Sequence, residues 1–402
     1  MQNVFIVGSK GFGSYGGYET FVDKLTECHQ NNRDLKYHIA CKANGDGCMD
    51  EAKLQGADVI SDTEFVYHNA RGFKIKIPNI GAAQAIYYDV KALSECCKYI
   101  EQNSIKHPIV YILACRIGPF AKYFSKKIHK LGGRIYLNPD GHEWKRLKWS
   151  RPIRKYWKVS ERLMVKYSDL VICDSVNIEK YIQKEYRQYN PKTTFIAYGA
   201  DIRLSIPEIQ PTYAKWLKDK ELVEQQYYLI VGRFVPENNF ETMIREFMKS
   251  KGERKLVIIT TENERFIKDL EEKLHFMKDE RIRFVGAVYD QVLLKEVRAG
   301  AYGYLHGHEV GGTNPSLLEA MGTTNINLLL DVVFNREVGK DSALYWNKEK
   351  NNLALLIERA DKMCDAETCE VGRKAKKRIA DEYNWDYVAK QYEEVLKKIE
   401  SK

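Results

Sequence analysis

"VGSKGFGSYGGYET", residues 7–20, closes an apolar run, turns on glycines and opens a helical pattern. Strand, glycine loop and helix in that order make the first step of a doubly wound α/β fold, where a phosphate rests on the loop and the helix N-terminus. Gly11, Gly13 and Gly16 also spell G-x-G-x-x-G. A dinucleotide fingerprint, however, closes its strand on the first glycine and places a carboxylate about 20 residues further on, at the end of the second strand. Here the strand closes earlier, at Gly8, and the second strand ends Ile39-Ala40-Cys41-Lys42 without an acid. NAD binding of that kind is set aside. What survives is a loop in which Gly16 and Gly17 let backbone amides approach a ligand, ahead of a helix whose apolar face is Tyr18, Phe21, Val22 and Leu25.

Working outward, 402 residues suffice for two domains with cores of their own. Short β-rich runs at Asn3–Gly8, Lys36–Cys41, Pro108–Leu113, Gly133–Leu137 and Leu170–Cys173 alternate with helical periodicity, predicting a first domain over residues 1–200. Asp201–Gln226 loses the strand pattern and carries Pro207 and Pro211, which marks a linker at or just before it. A second alternation follows in Tyr227–Gly232, Lys255–Thr260, Arg283–Val285, Gly303–His306 and Ile326–Leu330, predicting a second domain over 201–375. The helical tail, 376–402, patterned around Trp385, Tyr387, Val388 and Tyr392, is expected to pack back on the first domain. The expected fold class is therefore α/β, with two Rossmann-like doubly wound domains facing across a cleft. Ligands in such sheets lie beyond the carboxyl ends of the strands.

No apolar stretch reaches the ~20 residues of a membrane span. The opening MQNVFIVG runs into a strand with no charged leader or small-residue cleavage site. Nine cysteines form no C-x-x-C pair, which reads as reduced cytosolic thiols without a metal. A net charge of +9 suits nucleic acid, an anionic membrane face or a phosphorylated substrate, and charge alone does not choose among them.

The segment richest in chemistry is "YLHGHEVGGTNPSLLEAMG", Tyr304–Gly322. A strand ends at His306, Asn314 is placed to cap a helix, and Pro315 fits its first turn. The amides of Gly311, Gly312 and Thr313 then gather at a positive helix end, where phosphate or a sugar hydroxyl belongs. Glu319 follows one turn into that helix. Arg233, directly after the strand Tyr227–Gly232, offers a planar guanidinium for phosphate oxygens.

At these residues the chain resembles glycosyltransferase family 4, retaining enzymes of the GT-B fold. Their motif of two glutamates separated by seven residues places the second on Glu319, which the resemblance implies holds the nucleotide ribose. The first falls on Gly311, with Glu309 two positions earlier. The family's pyrophosphate-clamping arginine matches Arg233, while Asn238 stands where it has lysine. "YGGYETFVDKL", "CRIGPF", "NPDGHEWKR", "GRFVPENN", "HGHEVGGTNPSLLEA" and "FNREVGKDSALYW" together resemble the bacterial β-1,4-rhamnosyltransferases of that family. The resemblance implies transfer of L-rhamnose from dTDP-L-rhamnose to a lipid-diphosphate-linked sugar in capsule or surface polysaccharide synthesis. No cofactor is implied.

On the acceptor side, "NPDGHEWKRLKWSRPIRKYWK", Asn138–Lys158, places Asp140 and His142 just past a strand. Both are candidates to orient the acceptor hydroxyl or the sugar, His142 as the group that titrates near neutral pH. With Arg233 and Glu309 they form the candidate catalytic set. From Trp144 to Lys158 there are seven Lys/Arg and no acid, with Trp144, Trp149 and Trp157 between them. Tryptophan among basic residues is typical of an interfacial surface. Lys145, Arg146, Trp149, Arg151 and Lys155 are therefore expected at an anionic membrane or the acceptor diphosphate, rather than at nucleic acid. "FAKYFSKKIHK", Phe120–Lys130, extends the patch, and Arg116 is a candidate for acceptor phosphate or equally for a buried ion pair. The expected location is the cytoplasm, peripheral on the inner face of the plasma membrane.

The implied reaction lets the acceptor attack the face the nucleotide leaves. The protein stabilises charge developing on the β-phosphate through Arg233, the amides of Gly311–Thr313 and the Gly16/Gly17 loop. No D-x-D closes a strand, so a metal is expected to be dispensable. Two alternatives stand: the same fold using UDP-glucose, UDP-galactose or another nucleotide hexose, and a non-catalytic nucleotide-sugar-binding scaffold.

Overall fold

The structure is a computed structural model that describes all residues except 14–15, 147, 202–206, 262–263 and 399–402, with backbone alone for 82 and 207. It divides into two compact units, Met1–Tyr198 with Trp385–Lys402, and Gly199–Asn384.

In the first unit the strands are β1 (Gln2–Val7), β2 (Leu35–Lys42), β3 (Asp58–Ser61), β4 (Glu64–Tyr67), β5 (Ala70–Ile75), β6 (Ile109–Leu113), β7 (Arg134–Asn138), β8 (Leu170–Cys173) and β9 (Thr193–Phe195). The helices are α1 (Gly17–His29), α2 (Gln84–Gln102), α3 (Gly118–Lys130), α4 (Arg151–Lys166) and α5 (Val176–Glu185). The sheet order is β3-β4-β5-β2-β1-β6-β7-β8-β9. All neighbours are parallel except the β3–β4 and β4–β5 pairs. Val4 to Val7 are wholly buried, as befits a central strand covered on both faces. The chain leaves β1 toward β2 on one side, and β6 pairs on the other, so the strand order reverses between β1 and β6. Gly8 sits at that reversal with φ +113°, and a Cβ there would lie 2.4 Å from the Leu113 carbonyl oxygen. Only glycine lets the two strand ends come so close.

The second unit holds α6 (Gln210–Asp219), β10 (Tyr227–Val231), α7 (Phe240–Lys249), β11 (Lys255–Ile259), α8 (Glu264–Leu274), β12 (Ile282–Gly286), α9 (Gln291–Ala299), β13 (Gly303–His306), α10 (Pro315–Thr323), β14 (Ile326–Leu330), α11 (Val333–Gly339), β15 (Leu344–Trp346), α12 (Asn352–Ala360) and α13 (Asp365–Glu382). Its parallel sheet runs β12-β11-β10-β13-β14-β15 and reverses between β10 and β13. One core cluster gathers Ile230, Phe240, Met243, Ile258, Leu328 and Trp346, and a second Tyr227, Leu229, Val257, Val297 and Tyr304.

The tail departs from the sequence expectation of a separate segment from residue 376. Residues 376–384 belong to the second unit, where α13 packs on α10 and Gly372 meets Asn325. Only α14 (Trp385–Lys397) joins the first unit, packing on α1. There Trp385 and Tyr392 stack around Phe21, and the Ala389 carbonyl meets His29 Nε2 at 3.1 Å.

Candidate functional site

In the second unit the loops after β10 and β13 lie together at the strand reversal, where ligands of doubly wound sheets bind. Arg233 leaves β10 exposed, and among the described residues its guanidinium has no carboxylate partner. Asn238 Nδ2 donates to the Arg233 carbonyl at 2.8 Å, while its Oδ1 meets His308 Nδ1 at 2.8 Å. Asn239, with φ +57°, donates from Nδ2 to the Gly307 carbonyl at 2.7 Å. Asn238 therefore ties the two loops together where the family pattern has a lysine. From the side, Asn335 on α11 donates to the carbonyls of His308 and Leu330.

Asn314 is the N-cap of α10, accepting from the Leu317 amide at 3.3 Å, and Pro315 begins the helix. Gly311 has φ +141°, and a Cβ there would stand 3.1 Å from His308 Nε2. A glutamate at this position would be strained with the backbone as it stands. Thr313 is buried and Gly312 half-buried. Glu319 pairs at 2.7 Å with Arg298, a buried arginine of α9, and keeps a carboxylate that is 30% exposed. Glu309 pairs at 2.6 Å with Lys348 and accepts from Asn239 at 3.3 Å. It is a salt-bridged rim residue rather than an isolated base. His306 is buried, and burial followed by the neighbouring His308 holds its imidazole far below the ordinary range, so it stays neutral. Sequence reasoning missed Asn239, Lys348 and the buried Glu237, whose Oε2 lacks a partner. Only Asn239 and Glu237 lie in a quoted motif.

In the first unit Gly16 caps α1 in an extended conformation and Gly17 begins the helix. The Glu19 carboxylate lies against Gly16 and accepts from the Lys10 amide at 2.7 Å. This places negative charge where phosphate was expected and weakens the loop as an anion cradle. Arg116 is likewise engaged: Nη1 donates to Asp89 at 3.2 Å, to the Gly8 carbonyl at 3.0 Å and to the Leu113 carbonyl at 3.3 Å. Its expected acceptor-phosphate role gives way to a buried ion pair. Asp140 follows β7 with φ +60°, its Oδ1 accepting from the Gly141 amide at 2.8 Å.

His142 is 7% exposed, its ring 4.4 Å from Tyr181 and 5.8 Å from Trp144. Burial, then Lys145 and Lys158, lower its pKa to about 4. A group that acid is a neutral hydrogen-bonding ring at pH 7 and a weak proton acceptor, so His142 does not titrate near neutral pH as its sequence suggested.

The basic stretch beyond it is not the uniform surface its sequence implied. Glu143 is a hub that binds Arg146, Lys148 at 2.8 Å and Trp149 Nε1 at 2.9 Å. Burial raises its carboxyl, but Arg146 and Lys148 more than offset this and leave it below the ordinary range. Arg146 is consequently buried, and Trp144 and Trp149 are half-buried under Lys145, Lys148 and Lys158. Lys145, Arg151 and Lys155 remain exposed. The exposed faces of the packed helices α3 and α4 add Phe120, Tyr123, Ile153 and Val159 among Lys122, Lys126 and Arg162. Their one acid, Glu161, is buried against Tyr181 and Tyr186; Asp169 and Glu185 border the patch, paired with His129 and Lys158.

A family model described as "Domain of unknown function (DUF1972)" matches residues 1–201, half of the chain. The chain belongs to this DUF1972 family. No curated protein matches the DUF1972 chain. Among solved structures it is similar to sucrose-phosphate synthase from Thermosynechococcus elongatus, with a TM-score of 0.73 and 17% identity over 98% of both chains. HepE of Anabaena in complex with UDP gives 0.70 and 14% over 98% of this chain and 99% of the other. The Escherichia coli trehalose-6-phosphate structure bound with UDP-2-fluoro glucose gives 0.70 and 11% over 99% of each. These likenesses span both units and give the DUF1972 chain the GT-B fold. Among the described residues no three His, Cys, Asp or Glu side chains are grouped to hold a metal, and no helix is long and apolar enough to cross a membrane.

His142 gives a pH test. Its folded pKa of about 4 lies below the ordinary 6.5, so the folded chain binds fewer protons between these values. Its contribution to stability is complete above about pH 6.5 and lost as pH falls toward 4, on the order of 3 kcal/mol. Urea unfolding between pH 7 and 4 should show a shallower loss of stability in His142→Gln than in the unsubstituted chain. Parallel profiles would contradict this placement.

Proposed function

We propose that the protein is a retaining glycosyltransferase that moves L-rhamnose from dTDP-L-rhamnose to a lipid-diphosphate-linked sugar. The second unit binds the donor and the first unit the acceptor. The observation that carries this reading is Arg233: an exposed guanidinium with no carboxylate partner among the described residues, at a strand reversal beside the capped N-terminus of α10. A nucleotide diphosphate supplies the anion that this pair of features lacks. Glu319, oriented by Arg298, accepts from the ribose hydroxyls, and the amides of Gly311 to Thr313 take phosphate oxygens. Charge on the departing β-phosphate is stabilised by these groups, so no metal is required. Asp140 and neutral His142 orient the acceptor rather than exchange protons with it. UDP-hexose is the second reading for the donor, favoured because HepE is described with UDP and glucose and the E. coli protein with UDP-2-fluoro glucose.

The acceptor's lipid is met at an anionic membrane surface by α3 and α4. Each of their exposed lysines and arginines near an anionic leaflet contributes about 1 kcal/mol before screening. The aromatic and aliphatic side chains between them enter the headgroup region.

Two experiments test this. Thermal unfolding and transfer assays across dTDP-L-rhamnose and UDP-hexoses identify the donor; Arg233→Ala should weaken its binding about tenfold to a hundredfold, and EDTA should leave turnover unchanged. Protection by no nucleotide sugar would favour the scaffold reading, and unaltered affinity in Arg233→Ala would overturn the assignment of the site. In the second, the triple variant Lys126→Glu, Lys155→Glu, Arg162→Glu should lose co-sedimentation with phosphatidylglycerol vesicles. Equal sedimentation of both proteins would remove the membrane from the account.

A further inference from the structure

A cluster of charged and aromatic groups that the proposed reaction does not use packs around His142. Three segments of the first unit meet there: the turn after β7 that carries His142 and Trp144, the middle of α4, and the end of α5. Where they meet stands the ammonium of Lys158. It lies 4.6 Å from the ring centre of Trp144, 4.9 Å from that of Tyr181 and 5.2 Å from that of Tyr186. Its Nζ donates to Tyr181 Oη at 2.5 Å and pairs with Glu185 at 2.7 Å. The buried Glu161 carboxylate completes the cluster, 3.7 Å from Lys158 Nζ and accepting from the hydroxyls of Tyr181 and Tyr186. Three rings around one ammonium make a cation–π cage, which grips harder the less water reaches the charge.

A lysine held in one place gives up much side-chain entropy, so the cage has a cost that a solvated lysine on α4 would avoid. What the held lysine does is join segments. Arg154, one turn earlier on α4, donates from Nε to the Trp144 carbonyl at 2.8 Å, so α4 holds both the backbone and the ring of Trp144. Lys158 also bonds Tyr181, and one ammonium thereby links the two rings. Those rings are the walls against which the imidazole of His142 packs, Tyr181 edge-on at 4.4 Å and Trp144 at 5.8 Å. Charge acts in the same direction. After burial itself, Lys145 on the same turn and Lys158 on α4 keep the imidazole neutral, while Glu161 and Glu185 face Lys158. A neutral imidazole has one donor and one acceptor nitrogen, so the plane of its ring decides where a hydroxyl is held.

We propose that Lys158 is a positioning residue: by bridging Trp144 and Tyr181 it fixes the plane of the His142 ring, and through that ring the orientation of the acceptor's hydroxyl. The proposal rests on the glycosyltransferase reading for what His142 touches, and on geometry alone for what holds His142. Charge and shape both count. A neutral side chain of similar length releases the two walls, whereas arginine, which stacks on aromatic faces, keeps them.

The test is side-chain NMR on the full chain labelled at histidine, followed between pH 7 and 4, with the His142 signal assigned by its loss in His142→Gln. In the unsubstituted chain the His142 protons should carry ring-current shifts from Tyr181 and Trp144. Lys158→Met should reduce those shifts and move the titration of His142 about one pH unit upward. Lys158→Arg should restore both, and Glu185→Gln, which removes only the exposed partner, should leave both in place. In transfer assays Lys158→Met should lower kcat about tenfold with the donor KM unchanged. A merely structural lysine would lower the melting temperature and leave His142 where it is. The spectra need no nucleotide sugar, so a chain that transfers no sugar defeats the glycosyltransferase reading, while the spectra alone decide what holds His142. The inference is overturned if folded Lys158→Met keeps the His142 signal and titration of the unsubstituted chain, or if Lys158→Arg disturbs them as much as Lys158→Met. Should Lys158→Met not fold, Tyr181→Phe decides: it keeps the ring and removes its bonds to Lys158 and Glu161, and unaltered His142 signals in it overturn the inference.

Discussion

One amide side chain holds the carboxyl edge of the second sheet together. The Arg233 carbonyl can only accept, so Asn238 must turn its Nδ2 toward it and its Oδ1 toward His308. His308 must then carry its proton on Nδ1 to complete the bond. The loops after β10 and β13 are thereby locked in one arrangement, and Arg233 leaves the first of them at a fixed angle. Asn239 adds a second tie to Gly307, and Asn335 braces the His308 carbonyl from α11. Asn238 is a strut, standing where the glycosyltransferase pattern it resembles has a lysine. It exchanges a positive charge for rigidity, and leaves Arg233 as the cation of the loop.

Several other charges near the carboxyl edges of the sheets are compensated within the protein: Arg116 answers Asp89, Arg298 answers Glu319, Lys348 answers Glu309, and Arg146 answers Glu143. Among the described residues Arg233 has no such carboxylate partner. Preorganised, uncompensated charge is what stabilises a developing anion without reorganisation at the moment of reaction.

The parallel strands were legible because strands buried on both faces read as continuous apolar runs, as Leu170–Cys173 and Ile109–Leu113 do. The β3–β4 hairpin was not: its first strand is exposed throughout and carries no period that separates it from a loop. Asn314 and Pro315 announced the start of α10 through local capping chemistry alone. Partners distant in sequence were invisible. The run Trp144–Lys158 contains no acid, yet Glu143, Glu161 and Glu185 fold around it and draw Arg146 and Lys158 inward. Arg116 and Asp89 are separated by a helix and a strand, and nothing in either motif foretold their pairing. The positive φ of Gly311 was equally hidden.

The central claim is that the second unit grips an activated sugar's diphosphate with Arg233 and the amino end of α10. Amide hydrogen exchange, followed with and without saturating dTDP or UDP, addresses it directly. The account predicts slowed exchange across 233–239 and 311–318 when the nucleotide binds. Nucleotide binding that leaves both segments exchanging at their free rates, with protection confined to the first unit, would contradict it.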